Sequence, residues 1–227
     1  REKLNVKAFF LVSLLVLVTL GAFTRYTATI WQDFDLMAAT SARKAPTSAR
    51  AQANYAASLF NVGQVDASIA VLDRAIQNID STRPLLLVQR LLVLCHTQRL
   101  NLEEFNRTAD VLAGTAYDTR MVNMYRVLAE AIVSQVCPVI TASTLESMFE
   151  GMLRSPPNND ANSSRYAQLN YFLGYARAFG NKPKSAVDAF EASLDSRPGA
   201  SSAMLMAAVL AKNGFHVGAL HISDIAL

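Results

Sequence analysis

The sequence predicts an all-α protein: an N-terminal transmembrane helix followed by an α-solenoid of helical hairpins. Three observations carry that prediction. Residues 8–24 hold no charged side chain, apolar residues beyond them recur at helical rather than strand spacing, and turn-forming glycines and prolines return at a regular interval.

The apolar run from Ala8 to Thr24 is 17 residues long, bounded by Lys7 and Arg25. That is the short end of the range for a spanning helix, and Leu4 and Val6 extend it if the stem of Lys7 lies along the apolar surface. A cleaved signal peptide shares the charged start and apolar middle. Against it, the run exceeds a usual signal core and no clear A-x-A site follows. Arg1, Lys3 and Lys7 precede the run and Arg25 alone directly follows it. This favours an N-inside orientation, with the body on the periplasmic or lumenal face, as in a bacterial inner membrane.

The net charge of +3 belongs entirely to this anchor, where Arg1, Lys3, Lys7 and Arg25 stand against Glu2. Residues 26–227 balance at 17 basic and 17 acidic side chains, so a nucleic-acid footprint is not expected. Cys95 and Cys137 sit 42 residues apart with no motif around either. An even count and predicted export allow a disulfide, while buried free thiols are the preferred reading.

In "YAASLFNVGQVDASIAVLDRAIQ", Gly63 separates two amphipathic segments, and Ser68, Leu72, Ala75 and Ile76 follow at helical spacing. "YFLGYARAFGNKPKSAVDAFEASLDSRP" repeats the design more strongly. There, small residues at Gly174 and Ala186 let two helices approach, Phe190 fills the space beside them and Pro198 stops the second helix. Leu173, Gly174, Ala186, Phe190 and Pro198 resemble the signature of the tetratricopeptide repeat (TPR), a helix–turn–helix unit. The copy around Gly63 is looser, with Ala56 for the usual glycine and Ser68 for the usual alanine. A third copy starts near Ala200 and matches at Gly214, Ala219, Ala226 and Leu227. It stops after its second helix with no capping element, so the C-terminus reads as cut or covered by another segment.

The expected organisation is a transmembrane helix with its basic flank (1–25), a juxtamembrane half-repeat helix (26–48), one repeat (49–83), degenerate helical hairpins (84–163) and further repeats (164–227). "WQDFDLMAATSARKA" is read as one helix with Trp31, Phe34 and Ala38 on a shared face. In the middle, "PLLLVQRLLVLCHTQ", "LEEFNRTADVLAG" and "TRMVNMYRVLAEAIVSQV" each carry an apolar stripe, and Ser143 with Glu146 forms a capping box for "TLESMFEGMLRS". "SPPNNDANSS" is the clearest loop. A separate helical insert is the alternative for this middle.

No catalytic or cofactor constellation emerges. His216 and His221 are five apart, not the i, i+4 spacing of a helical metal pair. Glu103 and Glu104 open a helix, where acids favour the dipole. The sequence has no phosphate-binding loop, no G-x-S-x-G and no Cys/His nucleophile pair. Sequons occur at Asn106 and Asn162. No cofactor and no metal are therefore expected, and what remains is binding. In TPR proteins the groove is lined mainly by the first helix of each hairpin. That register implies Arg50 and Phe60 (with Ala53 and Ala57) in the first repeat, and Gln168, Tyr171 and Tyr175 (with Ala178) in the later one, facing a protein or peptide partner. The two tyrosines are i, i+4 neighbours that could equally pack against the preceding hairpin.

The order of a span, Arg25, Trp31, Pro46, Ser48, Arg50, Ala51 and Asn54 resembles one further junction. It is similar to the last transmembrane helix and repeat entry of polytopic membrane glycosyltransferases of the transmembrane-and-TPR, GT-C-like type. Bacterial O-antigen-ligase-like and pilin-glycosylating proteins end similarly. In that family a membrane core transfers sugar from a lipid-linked donor, and the TPR tail faces the lumen or periplasm and engages protein acceptors. The likeness implies that this chain is the non-catalytic C-terminal part of a larger protein. The acidic loop between membrane helices, where the family places its catalytic residue, has no counterpart here. The alternatives are a free-standing single-pass TPR scaffold of an envelope complex (pilus, secretion or respiratory) and a secreted, signal-cleaved adaptor.

Overall fold

A computed structural model describes residues 2–80 and 83–225, with side chains from residue 8 onward. The side chains of Arg1, Lys3, Leu4, Val6 and Lys7, and the repeat positions Ala226 and Leu227, lie outside the described residues. The described residues form twelve α-helices and one short 3-10 helix, with no strand among them. The chain divides into two compact units, residues 1–71 and 72–227.

In the first unit, α1 (Glu2–Gln32) is one continuous helix. Its segment Ala8–Gln32 has an 18-residue stretch of mean hydropathy 2.0, none of it buried, and is long and apolar enough to cross a membrane. A signal sequence near an N-terminus meets the same criterion. Arg25 and Trp31 lie on this helix, both exposed, so helical structure runs beyond the expected end of the span at Thr24.

The expected helix from Trp31 does not form as one piece. Asp33 has an extended backbone (φ −114°, ψ 110°), and its carboxylate accepts the amides of Asp35 and Leu36 at 2.9 and 3.0 Å, starting α2 (Phe34–Lys44) afresh. Trp31 therefore lies in the last turn of α1, and of the three residues assigned to one face only Ala38 is buried. Ser48 caps α3 (Ala49–Asn61), after the turn that holds Pro46. Next, α4 (Val65–Asn78) begins after Gly63 and carries the chain from the first unit into the second. Ser68 is fully buried and its hydroxyl donates to the Ala56 carbonyl at 2.7 Å. The serine that stands for the signature's alanine is thus satisfied by the backbone of the preceding helix.

The second unit holds α5 (Arg83–His96), α6 (Leu102–Ala113), α7 (Val122–Ser134), α8 (Ala142–Arg154), α9 (Ser164–Phe179), α10 (Pro183–Ser196), α11 (Ala200–Lys212) and α12 (His216–Asp224). The expected capping box of α8 sits elsewhere. Thr141 is the N-cap, its hydroxyl accepting the Thr144 amide at 3.2 Å while Thr144 Oγ1 accepts the Thr141 amide at 2.9 Å. Two hydroxyls do the work assigned to Ser143 and Glu146, and Glu146 is drawn instead into ion pairs with Arg177 and Lys182.

One local device recurs. Gly63, Gln98, Gln135, Asn181 and Gly214 all have positive φ, between 52° and 81°, and follow α3, α5, α7, α9 and α11 respectively. At four of the five the next amide reaches back five residues, as in Gln64 to Leu59, Arg99 to Leu94, Lys182 to Arg177 and Phe215 to Leu210, at 2.8 to 3.0 Å. This is the double-bonded Schellman stop, which consumes helix-end carbonyls that would otherwise lack donors. Gln135 makes the simpler single bond, to Ala131.

Packing follows from small residues beside large ones. Around Phe190, which is fully buried, Ala178, Ala186, Ala203, Ala207 and Ala219 bring α9 to α12 together with Met206, Leu210 and Ile222. Burying one such ring is worth roughly 1.5–3 kcal/mol. The middle of the unit is held by rings. Phe149 of α8 stacks on Phe172 of α9 at 5.4 Å, and Tyr125 of α7 contacts Tyr117, Phe149 and Phe172 at 5.1 to 6.1 Å. Asn158, fully buried, pins the loop between α8 and α9. It accepts from the Tyr117 amide at 2.7 Å and donates to the Thr115 and Met152 carbonyls at 2.9 and 3.0 Å.

Candidate protein-binding groove

The expected groove residues fall in both units. Arg50, exposed, and Phe60, half-buried, lie on α3 of the first; Gln168, Tyr171 and Tyr175 lie on α9 of the second, all partly buried. Ala53 and Ala178 are buried in the packing of their own units.

In the second unit a hollow of about 410 Å³ forms where α7, α9 and α11 converge, with the end of α10 as its rim. Its walls include Arg126, Gln168, Tyr171, Arg197, Leu205 and Met206. Gln168 and Tyr171 are brought together here, one helical turn apart, because α9 turns the same stripe toward α7 and α11. Tyr175, one turn further on, lies outside the lining and its ring rests on Phe179 at 4.8 Å. Burial raises its hydroxyl pKa to about 12, with help from the Glu130 charge and Tyr171.

The hollow mixes apolar and polar surface. The Tyr171 ring contacts Phe172 at 5.3 Å and Phe190 at 6.1 Å, anchoring it from behind. Burial pushes its phenol pKa up, so the group is a neutral hydrogen-bonding hydroxyl at any physiological pH. Leu205 is 61% exposed. Arg197 donates to Ser164 Oγ at 2.5 Å, and Arg126 stands 3.9 Å from Glu130 one turn along its own helix. Gln168 Oε1 is buried and accepts no hydrogen bond from the described residues. A buried amide oxygen without a donor costs about 1–3 kcal/mol, and this one belongs to a residue that lines the hollow.

Other charged groups are consumed by structure. Arg177 joins Glu146 at 3.2 Å and Glu150 at 2.8 Å, and Lys182 joins Glu146 at 2.6 Å. Burial by itself would raise the Glu146 pKa, yet the bonds from Lys182 and Arg177 outweigh it and leave the carboxyl below its ordinary value. Arg90 bridges Asp73 and Glu104. His221 meets Glu191, and among the described residues no group of three or more His, Cys, Asp or Glu is placed to hold a metal. Cys95 and Cys137 are buried free thiols in contact with each other. Burial and then the Cys137 neighbour push the Cys95 pKa upward, which leaves it an inert thiol rather than a nucleophile.

Sequence reasoning did not find Arg126, Arg197 or Leu205. Each follows from which helices converge, and a single helix's periodicity carries no signal of that. The chain matches no protein-family model and no curated protein.

Proposed function

We propose that the protein is a membrane-tethered TPR-like solenoid that holds a protein or peptide partner in the hollow lined by Gln168 and Tyr171. The carrying observation is the buried, undonated Gln168 Oε1 beside an anchored tyrosine and an exposed leucine. Tyrosine and arginine on a preformed apolar floor are the side chains that anchor interfaces. A peptide N–H would supply the missing donor once Gln168 turns its amide into the hollow, and an acidic side chain would meet Arg126 or Arg197. The solenoid reading is supported by the stop after every odd-numbered helix from α3 to α11 and by the close α9–α10 and α11–α12 pairs. The tether reading is supported by the unburied apolar α1.

Within that reading the chain works on the periplasmic or lumenal side, as the non-catalytic C-terminal part of a polytopic glycosyltransferase whose acceptor protein occupies the groove. The junction around Arg25, Trp31 and Arg50 supports this last step. A photo-crosslinking amino acid introduced at Gln168 is expected to capture a partner polypeptide in membranes. One at Asp195, on the neighbouring helix and outside the hollow's lining, is expected not to. Capture that is equal at both positions, or unchanged by Tyr171→Ala in a folded protein, overturns the groove. Spans encoded upstream of Arg1 support the enzyme tail, whereas an initiator Met within a few residues favours the free-standing scaffold.

A further inference from the structure

We propose that the hollow where α2 packs on α1 binds the phosphate headgroup of an anionic phospholipid. The proposal rests on reading α1 as a membrane span. The hollow is about 240 Å³, lined by Tyr26, Thr29 and Ile30 of α1 and by Thr40, Arg43 and Lys44 of α2.

Its depth along α1 is the first argument. Residues 8–24 are charge-free, Arg25 is the first cation past them, and the hollow begins at the next residue. On a spanning helix that is headgroup level, where tyrosine and arginine are at home. Exposed Phe23 and Leu20 continue the same helix toward the apolar side, giving acyl chains a surface directly below the hollow.

Its chemistry is the second. Arg43 and Lys44 are exposed and form no ion pair among the described residues. The acids of α2 are engaged at its other end, where Asp33 caps the helix and Asp35 accepts the Ser58 hydroxyl at 2.6 Å. Cations in a last helical turn also answer the helix dipole, but here two of the terminal carbonyls have other donors. Ala45 N–H reaches Ser41 at 2.9 Å and the Gln52 amide reaches the Ala42 carbonyl at 3.0 Å. Two cations beside the hydroxyls of Tyr26 and Thr40 supply the charge and the donors that a phosphate monoanion takes. A soluble phosphate has the same chemistry; the adjoining apolar face is what selects the lipid.

Trp31 is the chain's single tryptophan, exposed and one residue beyond the hollow-lining Ile30, and it reports on nearby lipid. The full chain is reconstituted in vesicles of equal phosphatidylcholine and phosphatidylglycerol, with one lipid brominated at a time. Quenching by either lipid establishes that α1 is in the bilayer; quenching by neither overturns the span and the site together. Given insertion, brominated phosphatidylglycerol is expected to quench more strongly. An enrichment of about fivefold per cation is the scale of a basic side chain at an anionic surface, and Arg43→Gln with Lys44→Gln is expected to abolish it.

Equal quenching by the two lipids overturns the site while leaving the span intact. Thr40→Phe fills the hollow without changing charge and is expected to remove the excess as well. If that variant keeps helicity and the excess, the attraction is diffuse and the site is refuted. Loss of the excess to millimolar inorganic phosphate, but not to sodium chloride of equal ionic strength, assigns the hollow to a soluble anion and overturns the lipid.

Discussion

A Cβ built on Gly174 would lie 2.5 Å from Cδ1 and Cε1 of Phe190, so the backbone of α9 rests directly on the ring carried by α10. No side chain fits between them. Gly174→Ala is therefore expected to destabilise the second unit, although Ala in an exposed helix would gain about 1 kcal/mol over Gly. Overpacking costs about 1–3 kcal/mol, and the ring has buried neighbours on its other side. Urea unfolding gives the sign. Phe190→Leu introduced with Gly174→Ala should recover part of the loss, and a strictly additive double mutant would show that the contact is not the cause.

The left-handed stops offer a prediction of opposite sign. Gln98 adopts φ 55° with a side chain attached, a conformation that costs an L-residue roughly 1–2 kcal/mol. Gln98→Gly should stabilise by about 0.5–1 kcal/mol after the extra freedom glycine brings to the unfolded chain. Gly63→Ala, at φ 78° with nothing within 4 Å of the new methyl group, should destabilise by backbone strain alone. Paired thermal melts check both. A destabilised Gln98→Gly would mean that its side chain contributes more than its backbone costs.

Acid should act through Glu146. Its carboxyl is held below the ordinary value of 4.5 in the folded chain by Lys182 and Arg177, against the opposing effect of burial. A lowered folded-state pKa contributes stability above 4.5, and that contribution is lost as pH falls from there through the folded value. Glu146→Gln should flatten stability against pH in that window and cost most at neutral pH. The loss should lie between the ~0–1 kcal/mol of an exposed pair and the ~3–5 kcal/mol of breaking a buried one. Urea midpoints at neutral pH and below 4.5 measure it, and an unchanged acid limb would relieve Glu146 of the role.

The helices were legible wherever conformation demands a particular residue. Gly63 and Gly214 announce their turns because the left-handed region favours glycine, and Pro46 marks the entry to α3. Gln98 and Gln135 adopt the same conformation with a residue that carries no such signal, which is why the hairpin pattern fades between Pro84 and Ser164. Asn158 was invisible for a related reason: a loop has no period, so nothing distinguishes the one asparagine that bonds three backbone groups from its neighbours. The cap of α8 was misplaced by two residues because Ser143 and Glu146 fit the pattern on paper, while Arg177, far along the chain, claims the carboxylate in space. In the hollow's wall, Gln168 and Tyr171 lie on one stripe that register along α9 makes legible. Arg126, Arg197 and Leu205 depended on which helices converge, information that a single segment does not contain.

The repeated stop has a consequence for how such a chain can change over time. Each odd-numbered helix from α3 to α11 is ended by bonds that span at most six consecutive residues, so its length is set without reference to any distant partner. Each such helix then carries its own terminus. Lengthening or shortening the connection that follows one of them leaves its stop, and those of the other four, correctly placed.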